Sequence, residues 1–318
     1  MTAAITFTNV TKRFGAVAAL SGVELDVHRG EMFGLIGPDG AGKTTAIRLM
    51  CGLLHADGGE IRVLGYDPVR DHRRLTDSVG YLSQRFTLYG DLSVDENIAF
   101  FAAIHGVPEF HSRRDQLLSM TQLTPFRKRR ADRLSGGMKQ KLALACTLVH
   151  EPHLILLDEP TTGVDPVSRR EFWKLLSEFL AEGVTILMST PYLDEAERCT
   201  RVALLHEGRV LALDEPARLR AGMPGRMVEL LAGAAQGLHP TAQACAVGTP
   251  GLLDLIRRLP GVDDAQAFGE RVHVRLRDGT DEGLAGFVAA LRETPLRDAA
   301  VRPVPASLED VFIARLTS

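Results

Sequence analysis

The stretch Gly37-Pro38-Asp39-Gly40-Ala41-Gly42-Lys43-Thr44 constrains the fold of this chain more than any other part of it. Gly37, Gly40 and Gly42 suit neither a helix nor a strand interior, where each glycine costs about 0.5–1 kcal/mol relative to alanine. The run Glu31–Ile36 before them has a strand pattern, and Thr45–Met50 after them has a helical one. Strand, glycine loop and helix form the context that gives the G-x-x-x-x-G-K-[ST] pattern its meaning. Backbone N–H groups at the start of such a helix point at an anion. Gly37, Pro38, Asp39, Gly40, Ala41, Gly42, Lys43, Thr44 and Thr45 are therefore the candidate nucleotide-binding residues. Lys43 is expected to reach the β- and γ-phosphates, and the Thr44 hydroxyl to ligate Mg²⁺.

A second element supplies carboxylates. Leu154–Leu157 is a continuous apolar run of strand length, and it ends in Asp158-Glu159-Pro160. A strand with this pattern is buried on both faces of a parallel sheet, so its acidic end emerges at the sheet edge that also bears the glycine loop. Asp158 is the candidate for holding Mg²⁺ through water. Glu159 is the candidate for orienting or deprotonating an attacking water. A third element, Leu134-Ser135-Gly136-Gly137-Met138, opens a helix with another anion nest built from Ser135, Gly136 and Gly137. One nucleotide does not need two nests, which points the second outward, toward a nucleotide held by a facing subunit.

The rest of the chain divides by texture. From the N-terminus to about Gly222, short β-branched runs alternate with helical patterns, as in an α/β domain. Ile5–Val10, Val23–Val27 and Thr185–Ser189 read as further strands. Between Phe86 and about residue 150 the spacing turns helical, with helices expected over Val94–His105, Arg114–Leu123 and Met138–Val149. The Ala/Gly/Pro-rich stretch 232–251 is the best linker candidate. Beyond it, helices are expected at Leu252–Leu259, Glu282–Arg292 and Ser307–Leu316, with a strand at Arg271–Arg277.

Bulk properties exclude several classes. The 318 residues are 45% apolar and 24% charged, enough for a sizeable core. A net charge of −3 offers no global field for nucleic acid or anionic lipid. No apolar run approaches the roughly 18–20 residues of a membrane span, and the first residues read as a strand rather than a signal peptide. Cys51, Cys146, Cys199 and Cys245 lie far apart without metal spacing, as buried free thiols do. The basic run Arg127–Arg130 reads as a solvated face.

Taken in order, these motifs resemble the ATP-binding cassette (ABC) superfamily over about Ala4–Gly222. Phe14, in Lys12-Arg13-Phe14-Gly15, matches the family's adenine-stacking aromatic. Gln84, in Val79-Gly80-Tyr81-Leu82-Ser83-Gln84, matches its Mg²⁺- and water-sensing glutamine. Gly163-Val164-Asp165-Pro166 matches the loop that crosses the dimer interface. As bare residues, Phe14 is also an ordinary core aromatic and Gln84 an ordinary loop side chain. The resemblance implies a P-loop NTPase cassette with an α/β core and antiparallel-β and helical subdomains (1–222), followed by a small α+β accessory domain (223–318).

Local strings narrow the resemblance. Ser135-Gly136-Gly137-Met138-Lys139-Gln140-Lys141, Val164-Asp165-Pro166-Val167-Ser168-Arg169-Arg170-Glu171 and the ending Pro305-Ala306-Ser307-Leu308-Glu309-Asp310-Val311-Phe312 are similar to cassettes of ABC-2-type exporters. They are particularly similar to the N-terminal cassette of tandem two-cassette drug-efflux subunits. The resemblance implies ATP and Mg²⁺ as ligands, separate ABC-2-type permeases and a second cassette as partners, with a heterodimer favoured. It also implies a location on the inner face of the cell membrane, with membrane contact only through those partners. Leu88, Tyr89, Leu92 and Phe100 fit either a docking groove for permease helices or plain packing of the helical segment.

One departure stands out. Where the family places a histidine after Ser-Thr, this chain has Ser189-Thr190-Pro191-Tyr192. Proline has neither a side-chain donor nor a backbone N–H, so hydrolysis at the chain's own site is expected to be slow. His206, past the next strand, reads as a surface histidine. The rival readings are a soluble cassette in DNA repair or on ribosomes, and a regulatory module. The first lacks support from a second cassette, zinc cysteines or a long coiled coil in this chain; Pro191 leaves the second open.

Overall fold

The computed structural model describes residues 2–84, 88–231, 249–268 and 271–316. Phe86, Cys245 and residues 232–248 of the linker candidate lie outside the described residues. Contacts divide the chain into two units, the first running to Pro216 and the second covering Ala217–Ala314. The reading from sequence put that boundary at Gly222, beyond a short helix, Pro216–Ala221.

In the first unit, β1 (Ala3–Phe14), β2 (Val17–His28) and β4 (Gly58–Val63) form an antiparallel sheet in the order β2-β1-β4. β1 and β2 are longer than their apolar runs suggest. Register shifts between Phe7 and Lys12 let the strand continue through polar residues, and Asp57 receives Lys12 Nζ at 2.9 Å and the Arg13 N–H at 2.6 Å.

The second sheet positions the site. Its order is β5-β6-β7-β3-β8-β9, from β5 (Val79–Leu82), β6 (Leu154–Asp158), β7 (Thr185–Thr190), β3 (Met32–Ile36), β8 (Arg201–His206) and β9 (Arg209–Asp214). All neighbours are parallel except β8 and β9. Every residue of β3, β6 and β7 is buried, which explains their unbroken rather than alternating apolar runs. The register pairs Ile36 with Thr190 and Asp158 with Ser189, so three strands end side by side. The crevice outside such strand ends is where open parallel sheets bind ligands.

Helices α1 (Lys43–Met50), α2 (His72–Thr76), α3 (Val94–Ile104), α4 (His111–Met120), α5 (Gly136–Leu148), α6 (Pro166–Ala181) and α7 (Leu193–Ala196) complete this unit. Ser93 and Glu96 close a capping box at the start of α3. α4 ends before Leu123, where the spacing had carried it, because Gln122 adopts a left-handed φ of 60°. Arg127 is not simply solvated: it bonds Asp95 at 3.0 Å and Asp115 at 3.1 Å. Cys51, Cys146 and Cys199 are buried free thiols.

A stacked histidine pair joins the ends of α3 and α5. The His105 and His150 rings lie 3.8 Å apart and 3° from parallel. Burial, followed by the charge of His105, pushes His150 down to about 4, and burial also lowers His105. Below its ordinary pKa of about 6.5, His150 takes a proton in the unfolded chain but not in the folded one. Its stabilisation is therefore whole above pH 6.5 and is lost as pH falls toward 4. Urea unfolding should show about 2 kcal/mol less stability at pH 5 than at pH 7 from this group, at 1.36 kcal/mol per unit. His150→Phe, which keeps a ring in the stack, should flatten that slope; an unchanged slope would assign the acid sensitivity elsewhere.

The second unit is a four-stranded antiparallel sheet in the order β11-β12-β10-β13. Its strands are β10 (Arg226–Leu231), β11 (Val262–Phe268), β12 (Arg271–Leu276) and β13 (Ala300–Pro303). Its helices are α8 (Pro216–Ala221, at the unit boundary), α9 (Thr249–Arg257), α10 (Asp281–Arg292) and α11 (Leu308–Leu316). Val228, Leu230, Val272, Val274, Phe287 and Leu291 form its core. Buried Glu229 is compensated by Arg302 at 2.6 Å and Arg271 at 3.3 Å.

Candidate functional site: a phosphate cradle at three strand ends

The loop from Gly37 to Gly42 owes its path to close backbone approach. A Cβ on Gly37 would lie 2.1 Å from the Leu205 carbonyl oxygen, and one on Gly42 would lie 2.4 Å from that of Ala19. Gly42 also takes φ 108°, which other residues rarely adopt, and directly precedes α1. The Gly37 N–H donates to the Thr190 carbonyl at 3.3 Å, pinning the loop to the end of β7.

Five candidate functional side chains, Lys43, Thr44, Asp158, Glu159 and Gln84, converge on this loop. Lys43, almost fully buried, donates to the Gly37 and Pro38 carbonyls at 2.8 and 3.0 Å and lies 3.2 Å from Glu159 Oε1. Thr44 Oγ1 donates to Asp158 Oδ1 at 3.1 Å, and Ser189 Oγ donates to the same oxygen at 2.7 Å. Gln84 Nε2 donates to Glu159 Oε2 at 2.9 Å, with Thr162 Oγ1 at 3.4 Å from the same oxygen. Residues up to 146 positions apart (Lys43 and Ser189) thus meet within one cluster.

Glu159 carries backbone strain. Its φ is +49°, a left-handed conformation that costs a non-glycine residue roughly 1–3 kcal/mol. The surroundings impose it: the Glu159 N–H donates to Ser189 Oγ at 3.0 Å and the Ser189 carbonyl at 3.2 Å. That turn carries the carboxylate out of the strand direction and over to Lys43.

The resulting cleft has a volume of about 470 Å³, bordered by Val17, Ala19, Asp39, Gly40, Gly42, Lys43, Thr44, Thr45, Gln84, Glu159, Thr162, Pro191 and Tyr192. Phe14 is not core: it is 49% exposed, paired with Val17 across the β1–β2 hairpin, with Lys12 Nζ 5.5 Å from its ring. Ser135, Gly136 and Gly137 do not border the cleft. Ser135 caps α5, accepting the Met138 N–H at 3.3 Å, and Ser135 and Gly136 are exposed. Gly137 is buried against α6, where a Cβ would meet Ser168 Oγ at 2.2 Å. Asp165 caps α6 by accepting the Val167 and Ser168 N–H groups, which holds its carboxyl below the usual range. His206 is half-buried at the end of β8 rather than on the open surface.

Ser189, Thr162, Thr161 and Glu195 escaped the reading from sequence. Glu195, 1% exposed, accepts Thr161 Oγ1 at 2.6 Å and Thr190 Oγ1 at 2.7 Å, tying the loop after β6 to the turn after β7. The available signal was Ser189-Thr190, two hydroxyls at the end of an otherwise apolar buried run.

The residues fit a nucleotide and its cation. The N–H groups of the glycine loop and Lys43 match polyphosphate. Thr44 and Asp158 offer adjacent hard oxygens, and among the described residues no group of three or more His, Cys, Asp or Glu side chains is arranged to hold a metal ion. Mg²⁺ is commonly held in this way, by few protein ligands together with water and phosphate.

A strand-fed glycine cradle with a carboxylate-bearing strand one place removed in the same parallel sheet defines a P-loop nucleoside-triphosphatase fold. A family model described as "ABC transporter" matches residues 20–162. Over 279 residues the chain is 43% identical to the probable multidrug ABC transporter ATP-binding protein YbhF of Escherichia coli, covering 86% of this chain and 46% of that protein. Over 313 residues it is 34% identical to the daunorubicin resistance ATP-binding protein DrrA3 of Streptomyces coeruleorubidus, covering 98% and 95%. The dimeric structure of MJ0796, a bacterial ABC transporter cassette, superimposes with a TM-score of 0.60 at 27% identity, over 66% of this chain and 98% of that one. The chain belongs to the ABC transporter family of ATP-binding proteins. It spans about half the length of YbhF.

Proposed function

We propose that this chain binds and hydrolyses Mg-ATP to power export through separate ABC-2-type permease subunits. The observation that carries the reading is the convergence of Lys43, Thr44, Asp158, Glu159 and Gln84 around a glycine cradle, with a second anion nest at Ser135–Gly137 lying outside that cleft. A nest that cannot serve its own cleft serves a facing one, and the dimeric form of the MJ0796 cassette supports such pairing.

In the paired state the P-loop and Lys43 hold the β- and γ-phosphates, and Phe14 stacks on the base. Mg²⁺ held near Thr44, Asp158 and Gln84 would neutralise phosphate charge. Glu159 orients or deprotonates the attacking water, while Gln84 holds its second oxygen. Lys43 must leave Glu159 for phosphate, so the ion pair of this structure and nucleotide binding are alternatives. Ser135, Gly136 and Gly137 cover the partner's nucleotide.

Pro191 borders the cleft without a donor, which favours slow hydrolysis at this site and a heterodimer with a histidine-bearing cassette. No helix among the described residues is long and apolar enough to cross a membrane; membership of the ABC transporter family favours membrane contact through permease partners at the cytoplasmic face. Tyr89, 44% exposed and edge-on to Phe100 at 4.5 Å, together with Leu88 and Leu92, offers a surface for permease helices. The names of YbhF and DrrA3 support drugs as cargo.

Lys43→Ala should weaken ATP binding by about a hundredfold, the value of two or so charge-assisted hydrogen bonds, as read by calorimetry with Mg²⁺. Tagged chain drawn from membranes should bring permeases with it. Unchanged affinity in the variant, or ribosomes and DNA in place of permeases, would overturn the proposal.

A further inference from the structure

The turn after β7 lies against the start of the P-loop, because β7 is one of the two strands paired with β3 and the Thr190 carbonyl accepts the Gly37 N–H. Pro191 and Tyr192 of this turn border the same cleft as Gly40, Gly42, Lys43 and Thr44. Their donors can be accounted for one by one. The Ser189 hydroxyl is given to Asp158 at 2.7 Å. The Thr190 hydroxyl is given to buried Glu195 at 2.7 Å. Pro191 borders the cleft and has no donor at all. That leaves Tyr192, which also borders the cleft, is 37% exposed, and carries a phenolic O–H.

Tyr192 is held rather than loose. Its N–H donates to Thr190 Oγ1 at 3.1 Å, so its backbone hangs on the same hydroxyl that Glu195 anchors. The Arg169 guanidinium lies over its ring, 5.2 Å from the centroid, and Arg169 Nε is 3.7 Å from Glu195. A cation on the ring face fixes the ring while leaving the edge hydroxyl available. Glu195 thereby links Thr161, Thr190 and Arg169, and positions Tyr192 from three elements at once.

We infer that the Tyr192 hydroxyl is the hydrogen-bond donor that this strand end supplies to the terminal phosphate of a bound nucleoside triphosphate. The inference rests on the ATP-binding reading above. A hydrogen bond to a charged oxygen strengthens binding of the triphosphate selectively, since a diphosphate does not extend that far. Tyr192 thus lets the site hold ATP without supplying the chemistry that Pro191 omits.

The test compares Tyr192→Phe with the unaltered chain, because phenylalanine keeps the ring under Arg169 and removes only the hydroxyl. Calorimetric titration with ATP and with ADP, both with Mg²⁺, should show ATP affinity lowered about tenfold, as expected for one hydrogen bond to a charged group. ADP affinity should stay within about twofold of the unaltered chain, and thermal unfolding should be unchanged. An unchanged ATP-to-ADP preference, or an equal loss for both nucleotides, would overturn the inference while leaving the ATP site intact. If the unaltered chain binds neither nucleotide, the ATP-binding reading falls first and the inference with it. Arg169→Gln provides a second readout: releasing the ring should lower the same ATP preference in part, and only in a chain that retains Tyr192.

Discussion

Glu159→Gln is expected to lower ATP turnover by about a hundredfold to a thousandfold, the contribution of a positioned general base, while ATP binding persists. Glutamine keeps the length of the side chain, and the backbone at φ +49° is held by Ser189 through contacts that do not involve the carboxylate. The carboxylate itself accepts from Gln84 and from Thr162 and neutralises Lys43 at 3.2 Å. Removing its charge frees Lys43 for phosphate, so ATP affinity should hold or rise. Phosphate release and calorimetry on the same preparation separate these effects, and gel filtration with ATP should reveal a paired species that persists. A variant that still cycles at full rate would remove Glu159 from the role of base, and one that loses ATP binding would make the Lys43–Glu159 pair structural.

Pro191→His is expected to raise turnover by about tenfold. Removing one donor to developing charge costs about a hundredfold to a thousandfold in evolved sites, and a donor added without refinement should recover part of that. The position is suitable: it follows Thr190, whose hydroxyl and carbonyl are both engaged, and it borders the cleft. The substitution also restores a backbone N–H that proline lacks. Turnover by the unaltered chain at the rate of a complete cassette, with no gain in the variant, would remove Pro191 as the cause of slow hydrolysis.

The parts of the site that could be read from the chain are those made of consecutive residues. Gly37–Thr45 presents a run of backbone N–H groups, and such a run needs glycines in one stretch. Asp158 and Glu159 follow an apolar run for a similarly local reason, since a strand buried on both faces tolerates charge only at its end. Helix α5 begins at a Ser-Gly-Gly nest, and a capping serine is a local device. The helix at His111–Met120 was displaced by three residues from its expected start because its stop is set by the left-handed Gln122, which has no strong sequence signature.

Contacts between distant segments were not legible in this way. Nothing adjacent to Asp158 announces that Ser189 will share its oxygen with Thr44, nor that Glu195 will be buried under Thr161 and Thr190. The strain at Glu159 has no composition signal, because it is imposed by β7 on β6. Nothing in the sequence around Tyr192 marks it as a neighbour of the P-loop, whereas the fold sets both against one cleft.

The P-loop, the carboxylate strand and the outward nest were thus determined by the sequence itself, because each acts through neighbours in the chain and through periodicity. The pairing of Lys43 with Glu159, the donor inventory at the end of β7 and the placement of Pro191 and Tyr192 along the cleft that Lys43 lines were decided only by tertiary structure. Strand order brings those residues together, and strand order follows from how buried surfaces pack rather than from any local run of residues.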